Sequence, residues 1–468
     1  MFKAIFTNGF GILFSRVLGF VRDLLTASIL GANIYSDIFF IAFKLPNLFR
    51  RIFAEGAFTQ VFLPSFTRST KKSLFSVHIF VIFLSIILLL SFLVTIFSSF
   101  ATKMLAVGFD EKTIAIAAPY VAINFYYLPL IFAVTFFSTL LQYKHYFGVT
   151  AFSTGLLNIT LIAALYLSKG SSQSIIVYYL SWGVIAGGVL QLFVHIWAIH
   201  RLGFSKMLLG GLKYFKRKSL HVKQETKLFR KQFIPAVWGN SGAQFSSFLD
   251  TWLASFLVSG SISYLYYANR IFQLPLALFA IATSIAIFPR ISRLLKNDDE
   301  KRAHEYMRKA FWFLAYILTF STLFGWVLAD EIIKTLFQRG AFTSQDAATT
   351  SMVLKMYMIG LLPFGLTKLF SLWLYAKQQQ MKAAKITTFS LTADIIFSVT
   401  FVSYLGVVGL ALGTTISGIV SFILTLRVFG AKPFLNIFLT KHALYLLGGS
   451  VVLTILLLLL KEFIHVHF

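Results

Sequence analysis

The chain has 468 residues, of which 58% are hydrophobic, 17% aromatic and only 12% charged, and its mean hydropathy is +0.80. Soluble domains hold about 45–50% apolar and about 25% charged residues, so this composition excludes a soluble enzyme, a disordered protein and a secreted disulfide scaffold. Cysteine is absent, which removes disulfides, thiolate metal sites and a cysteine nucleophile. What remains is an all-α polytopic membrane protein, each span of which needs about 20 predominantly apolar residues.

Thirteen apolar segments follow along the chain, at 4–30, 33–65, 74–100, 114–143, 149–168, 174–200, 230–257, 262–289, 309–329, 347–376, 383–404, 408–427 and 442–460. The first is not a cleavable signal, because Arg16, Arg22 and Asp23 interrupt its apolar run and no small-residue cleavage site follows. With the N-terminus inside, cytoplasmic segments hold 28 of the 42 Lys and Arg residues, external segments six, and the spans eight. The positive-inside rule therefore places the N-terminus in the cytoplasm and, after thirteen spans, the C-terminus outside. The net charge of +26 is accounted for by these loops. The polybasic stretch HRLGFSKMLLGGLKYFKRKSLHVKQETKLFRK is a topogenic loop resting on anionic membrane lipids, not a nucleic-acid site. Histidines show no metal-ligand grouping, and the Asn158-Ile159-Thr160 sequon is set aside because it lies in an apolar span. Gly183/Gly187 and Gly409/Gly413 have the spacing that lets membrane helices pack closely.

Two segments resemble each other across the basic loop. ASILGANIYSDIFFIAFKLPNLFRR begins at Ala27 and ASFLVSGSISYLYYANRIFQLPLAL at Ala254. Each runs from Ala-Ser through a short turn into an aromatic-rich helix and Leu-Pro, with a second proline before a basic exit. The match lays segment 2 on segment 8, six spans apart. Six is even, so the halves insert in the same orientation, related by an axis along the membrane normal. The expected organisation is an N-lobe at 1–200 (segments 1–6), a basic cytoplasmic linker at 201–229, a C-lobe at 230–428 (segments 7–12) and a thirteenth helix within 429–468. Two six-helix lobes around a central cationic cavity is transporter architecture.

Charges inside spans mark function by default, since a basic residue at a helix centre costs about 2.5–3.5 kcal/mol on insertion scales. The eight basic residues are Arg16, Arg22, Lys44, Arg50, Arg51, Arg270, Lys355 and Lys368, against five acids, Asp23, Asp37, Glu55, Asp250 and Asp394. The cationic excess points to an anionic ligand. At about 100° per residue, Asp37, Lys44 and Arg51 form one stripe on segment 2 with Asn47 beside it, and Glu55 can pair with Arg51 at i,i+4. Arg50 points about 100° away from that stripe. On segment 1, Arg16 and Asp23 share a face two turns apart, with Arg22 about 120° around. On segment 8, Arg270 has Tyr266 and Gln273 as helical neighbours and no acid on its face. Arginine suits a phosphate because its planar fork donates two parallel hydrogen bonds. For each of Arg22, Lys355 and Lys368, structural pairing or snorkelling to the headgroups stands beside function as an equal reading.

The run SRVLGFVRDLLTASILGANIYSDIFFIAFKLPNLFRRIFAEGAFTQVFLPSF resembles the opening of the MurJ (MviN) family of lipid II flippases, within the multidrug/oligosaccharidyl-lipid/polysaccharide exporter superfamily. YLYYANRIFQLPLA from Tyr264, LFQRGAFT near Phe337 and the stretch from Lys368 to Tyr375 also fit. The resemblance implies a flippase of the bacterial inner membrane that moves lipid II, a polyprenyl pyrophosphate bearing the disaccharide-pentapeptide of peptidoglycan. It implies that Arg16, Arg22, Arg50 and Arg270 bind substrate, and that Asp37 and Glu55 match acidic positions important in relatives. Asp23, Lys44, Arg51, Asn269 and Lys368 are expected to support them. Three departures stand out. Relatives have fourteen spans, AKQQQMKAAK follows Lys368–Tyr375 where an acidic, proline-containing loop is usual, and Asn269 stands where some relatives carry an acid.

No catalytic constellation or nucleotide-phosphate loop is present, so a transporter without a cofactor is expected rather than an enzyme. Asp250, Ser390, Asp394 and Thr414 supply oxygens of the kind a hard cation wants, and some relatives bind Na⁺ in this region. Na⁺ coupling therefore competes with membrane potential acting on a cationic cavity. The alternatives are a flippase for another polyprenyl-linked glycan, a drug or cation antiporter of the same superfamily, or a scaffold partnered with other cell-wall synthesis proteins.

Overall fold

The computed structural model describes residues 2–51, 57–218 and 222–467, and among them every regular element is helical. The chain divides into two compact units, Met1–Ser259 and Gly260–Phe468. The first unit contains α1 (Phe2–Leu30), α2 (Ile34–Phe49), α3 (Thr59–Arg68), α4 (Lys72–Ile96), α5 (Ser98–Leu105), α6 (Glu111–Phe125), α7 (Tyr127–Tyr143), α8 (Gly148–Leu167), α9 (Gln173–Arg201), α10 (Phe204–Lys218) and α11 (Lys223–Ala254). The second contains α12 (Ser261–Pro275), α13 (Ala282–Lys296), α14 (Glu300–Val327), α15 (Ala329–Phe337), α16 (Ser344–Ala376), α17 (Gln380–Leu405), α18 (Val407–Phe429), α19 (Ala431–Phe438) and α20 (Lys441–His467).

All thirteen apolar segments are helical in their described residues. Among the described residues, ten helical stretches are long and apolar enough to cross a membrane, four in the first unit and six in the second. The segments that fall outside this set are α1, α2 with α3, and α11. These three carry Arg16, Arg22, Asp23, Asp37, Lys44 and Asp250, and the second of them is divided into helices of 16 and 10 residues.

Local chemistry sets the ends of the key helices. Gly31 takes φ 78°, a left-handed conformation that glycine adopts without strain. Asn33 then caps α2: its side-chain oxygen accepts from the Tyr35 N–H at 2.9 Å, and its own N–H donates to Ser36 Oγ at 2.8 Å. Thr343 and Asp346 form the same reciprocal cap on α16. The internal duplication has a structural counterpart. Pro46 in α2 precedes π-helical turns at 50–51 and 57–58, and Pro275 in α12 precedes the π-helical stretch Leu276–Ile281. Proline removes an N–H donor and clashes with the carbonyl one turn back, so each Leu-Pro loosens the helix at the matching place. Pro64 and Pro289 then recur inside α3 and α13.

Lipid tails are as apolar as leucine, so helix association inside a membrane rests on close packing and on polar contacts. The first unit packs phenylalanines: Phe58, Phe62, Phe75, Phe136 and Phe229 are all buried in one cluster, with Phe58 and Phe62 stacked at 5.0 Å. Elsewhere the backbones approach closely. A Cβ at Gly187 would lie 2.9 Å from the Leu157 Cα, and one at Gly413 would lie 2.7 Å from the Ser398 nitrogen. Both glycine pairs read from the sequence are therefore sites of helix contact, α8 with α9 and α17 with α18.

Candidate substrate-binding site

In the first unit the charged residues sort by what their side chains touch. Arg16 is exposed on α1, whereas Arg22, six residues on, is buried. The Arg22 guanidinium donates to Asp23 Oδ1 from Nε at 3.1 Å and to Asn158 Oδ1 on α8 from Nη1 at 3.0 Å. Asn158 in turn donates to the Ser15 carbonyl at 3.0 Å. Asp23 thus pairs with its sequence neighbour instead of with Arg16, because a long arginine reaches sideways over its own helix. Asn158, set aside as a sequon, is a buried link in this network. Sequence reasoning missed this role, and a polar residue within an apolar span is the signal that could have found it.

α2 carries a gradient of charge. Asp37 lies buried in its first turn, Lys44 half-buried in the middle, and Arg50 and Arg51 at its far end, half-buried and exposed respectively. Thirteen residues at 1.5 Å each separate Asp37 from Arg50 by about 20 Å. The Lys44 ammonium donates to Thr251 Oγ1 on α11, and its charged neighbours are Asp250 and Arg51. Glu55, expected to pair with Arg51, lies outside the described residues.

The acidic end of α2 opens on a pocket of about 230 Å³, lined by Asp37, Asp110, Thr113, Ser255 and Ser259 among others. Gly108 closes it against α11: its N–H donates to Ser255 Oγ at 3.0 Å, and a Cβ there would fall 2.4 Å from the Phe256 nitrogen. Hydrogen bonds from Thr113 hold the Asp110 carboxyl below its ordinary value. Two carboxylates make this pocket a poor place for an anion. The basic end of α2 has the opposite character.

In the second unit, Arg270 is half-buried on α12. Its Nη2 donates to the Tyr266 hydroxyl at 2.5 Å and its guanidinium lies 4.6 Å from that ring's centre, a cation–π contact. The side chains of Gln273 and Asn269 bond to each other one turn apart. Lys368 is exposed on α16. Lys355 has a structural role: its ammonium bonds Asp330 at 2.8 Å, and Lys461 of α20 reaches the same carboxylate at 3.2 Å. Burial pushes the Asp330 carboxyl up, but hydrogen bonds from Lys355, Ser351 and Lys461 together outweigh it and hold the group well below the usual carboxylate range. That pairing joins residues 25 and 131 positions apart in sequence, beyond the reach of helical periodicity.

The four oxygen-bearing residues read as a cation set are divided between the units. Asp250 belongs to the first, beside Lys44, and Ser390, Asp394 and Thr414 to the second. Asp394 is fully buried and accepts from Ser398 Oγ at 3.4 Å, one turn on. The Ser390 carbonyl accepts from Ser417 Oγ at 2.8 Å, which ties α17 to α18, and Thr414 Oγ1 donates to the Leu410 carbonyl at 3.2 Å.

Known proteins resemble this chain over nearly its whole length. The family described as lipid II flippase MurJ matches residues 26–468. A curated relative from Helicobacter pylori, named as a probable lipid II flippase MurJ, is 49% identical over 94% of this chain and 97% of its own length. A solved structure of a lipid II flippase MurJ in an inward closed conformation superposes with a TM-score of 0.79 at 25% identity, covering 98% of both chains. An inward-facing multidrug resistance transporter of the MATE family, in the MOP superfamily, shares the fold at a TM-score of 0.66 and 14% identity, over 90% of this chain and 94% of its own. With a family match over all but the first 25 residues and a relative at 49% identity, the chain belongs to the MurJ family.

Proposed function

We propose that this protein is a lipid II flippase, carrying the polyprenyl pyrophosphate-linked peptidoglycan precursor from the inner to the outer leaflet of the bacterial cytoplasmic membrane. The observation that carries this reading is the excess of cationic groups on otherwise apolar helices, concentrated as arginines on α1, α2 and α12. A cation extruder of the same superfamily would need the opposite sign of charge. Arginine forks match the pyrophosphate in geometry as well as charge. Arg16, Arg50 and Arg270 are its ligands in this reading, and Arg22, held by Asp23 and Asn158, positions α1 against α8.

The charge gradient of α2 gives the cycle a direction. The positive-inside rule puts Arg50 and Arg51 at the cytoplasmic end and Asp37 at the external end. The headgroup is captured at the arginines, alternating access exposes it to the outer side, and the carboxylates of Asp37 and Asp110 repel it outward. Membrane potential assists, since one elementary charge crossing 100 mV is worth about 2.3 kcal/mol. Lys44 balances Asp250, so Asp394 with Ser390 and Thr414 is the place for a coupling Na⁺ if choline in place of Na⁺ stops transport. The same orientation puts the N-terminus in the cytoplasm and the C-terminus outside.

The test is expression of the wild type and of Arg270→Ala, at matched membrane abundance, in bacteria depleted of their own flippase. Lipid II exposed on the outer leaflet is the readout. Wild type restoring exposure while Arg270→Ala does not is the expected result. A well-inserted wild type that fails would instead point to another polyprenyl-linked glycan.

A further inference from the structure

The second unit carries a cavity of about 260 Å³ where the first turns of α14 meet α19. Lys301, His304, Glu305 and Arg308 line it from α14 and Asn436 from α19. Their spacing of three, four and seven residues puts the four α14 side chains on one helix face. The cavity has firm walls. Trp312 Nε1–H donates to the Ile437 carbonyl at 3.1 Å, and Phe311 meets Phe434 edge-on at 6.0 Å, so α19 is fastened to α14. The His304 ring stacks on Trp373 at 4.4 Å and meets Phe429 at 5.6 Å.

α19 is a short connector between two apolar helices, entered through Gly430 at φ 112°. Leu435, Phe438 and Leu439, on and just after it, are exposed on the outside of the fold. An exposed apolar face beside exposed cations is the pattern of a helix lying at the level of lipid headgroups, its apolar side toward the acyl chains. The charge of the cavity is selective. Lys301 and Arg308 attract a phosphate, whereas Glu305 repels a bare dianion and accepts hydrogen bonds from hydroxyls.

We propose that this cavity binds the headgroup of an anionic phospholipid of the phosphoglycerol class. Lys301 and Arg308 hold the phosphodiester, Glu305 and Asn436 take the glycerol hydroxyls, and Leu435, Phe438 and Leu439 contact the acyl chains. None of these residues belongs to the arginine set assigned to substrate, so the site stands apart from the flippase reading.

The experiment is native mass spectrometry of the full-length protein titrated with dioctanoyl phosphatidylglycerol, dioctanoyl phosphatidylcholine or glycerol phosphate. Wild type retains phosphatidylglycerol saturably and phosphatidylcholine does not compete. Lys301→Gln with Arg308→Gln weakens retention by roughly a hundredfold, the scale of two lost charge-assisted contacts. Lys112→Gln with Lys169→Gln, the same charge change on exposed residues outside the polybasic loop, leaves it unchanged. Equal loss in both double variants, or in neither, overturns the proposal. Competition by glycerol phosphate at the lipid's own concentration makes this a free-phosphate site and overturns it too. Glu305→Gln keeps both cations, and unchanged preference for phosphatidylglycerol over glycerol phosphate in that variant removes Glu305 from the argument.

Discussion

Among the described residues of the first unit, four helical stretches are both long and apolar enough to cross a membrane, and the charged segments α1, α2 with α3, and α11 fall outside that set, whereas all six long segments of the second unit qualify. The second unit keeps its ion pairs in two places, around Asp330 with Lys355 and Lys461 and where α14 begins, with Glu300 on Lys377 and Asp299 on Arg302, and keeps Asp394 fully buried. The first unit instead spreads charge along α1, α2 and α11. At about 2.5–3.5 kcal/mol per buried charge on insertion scales, that arrangement persists only where function needs it or where partners compensate. Arg22 and Lys44 have visible partners in Asp23, Asn158 and Thr251. Arg16 is exposed. The lesson is that arginines on one helix differ in burial and partners, and under the proposed function that difference separates the structural arginine from the substrate-binding one.

The sharpest way to break this comparison is to remove the two arginines of α1 separately. Arg22→Ala strips a buried carboxylate of its guanidinium, and losing one partner of a buried pair costs about 3–5 kcal/mol. Its membrane abundance and melting temperature should fall, and Asp23→Ala in the same chain should recover part of the loss. Arg16→Ala should leave both unchanged and abolish transport. A stable Arg22→Ala that binds no substrate would move Arg22 into the ligand set. Next in size is Gly413→Val, which forces a side chain onto Ser398 where α17 meets α18. Overpacking of this kind costs about 1–3 kcal/mol, and Gly187→Val should do the same between α8 and α9, read as a lower melting temperature in each.

Asp330→Asn removes the shared partner of Lys355 and Lys461 and should cost about 1–2 kcal/mol. The pH dependence follows from the sign of its shift. A carboxyl depressed in the folded state contributes stability that is fully present above the unfolded value of about 3.9, and loses it as pH falls through the lower folded value. Melting of the wild type should therefore show no Asp330-dependent change from neutral pH down to about pH 4, with wild type and Asp330→Asn converging only in stronger acid. Smallest is Thr251→Val, which removes one acceptor from Lys44 and should cost about 0.5–1.5 kcal/mol.

Much of this was legible in the sequence. Thirteen apolar runs gave the helices, and the Ala-Ser to Leu-Pro repeat marked the matching prolines whose π-helical turns follow in α2 and α12. Helical periodicity also placed Asp37, Lys44 and Arg51 along one helix, which the structure resolves into a gradient. What periodicity cannot see is contact across helices. Arg16 and Asp23 share a face by spacing, yet Asp23 pairs with Arg22 because side-chain reach outweighs angular position. Lys355 reads as an isolated intramembrane cation until Asp330, on a separate short helix, is brought to it. Asp250 groups with second-lobe oxygens on sequence order, but α11 packs within the first unit, where Lys44 is its neighbour.

The central claim is that arginines recognise the pyrophosphate. Its most direct test is equilibrium binding of lipid II, and of the same lipid carrying a single phosphate, to purified wild type and to Arg16→Gln, Arg50→Gln and Arg270→Gln. The wild type should prefer the pyrophosphate by about tenfold or more, the equivalent of about 1.4 kcal/mol or one charge-assisted contact, and each substitution should erase most of that preference. Variants that bind both lipids with wild-type affinity would contradict the account.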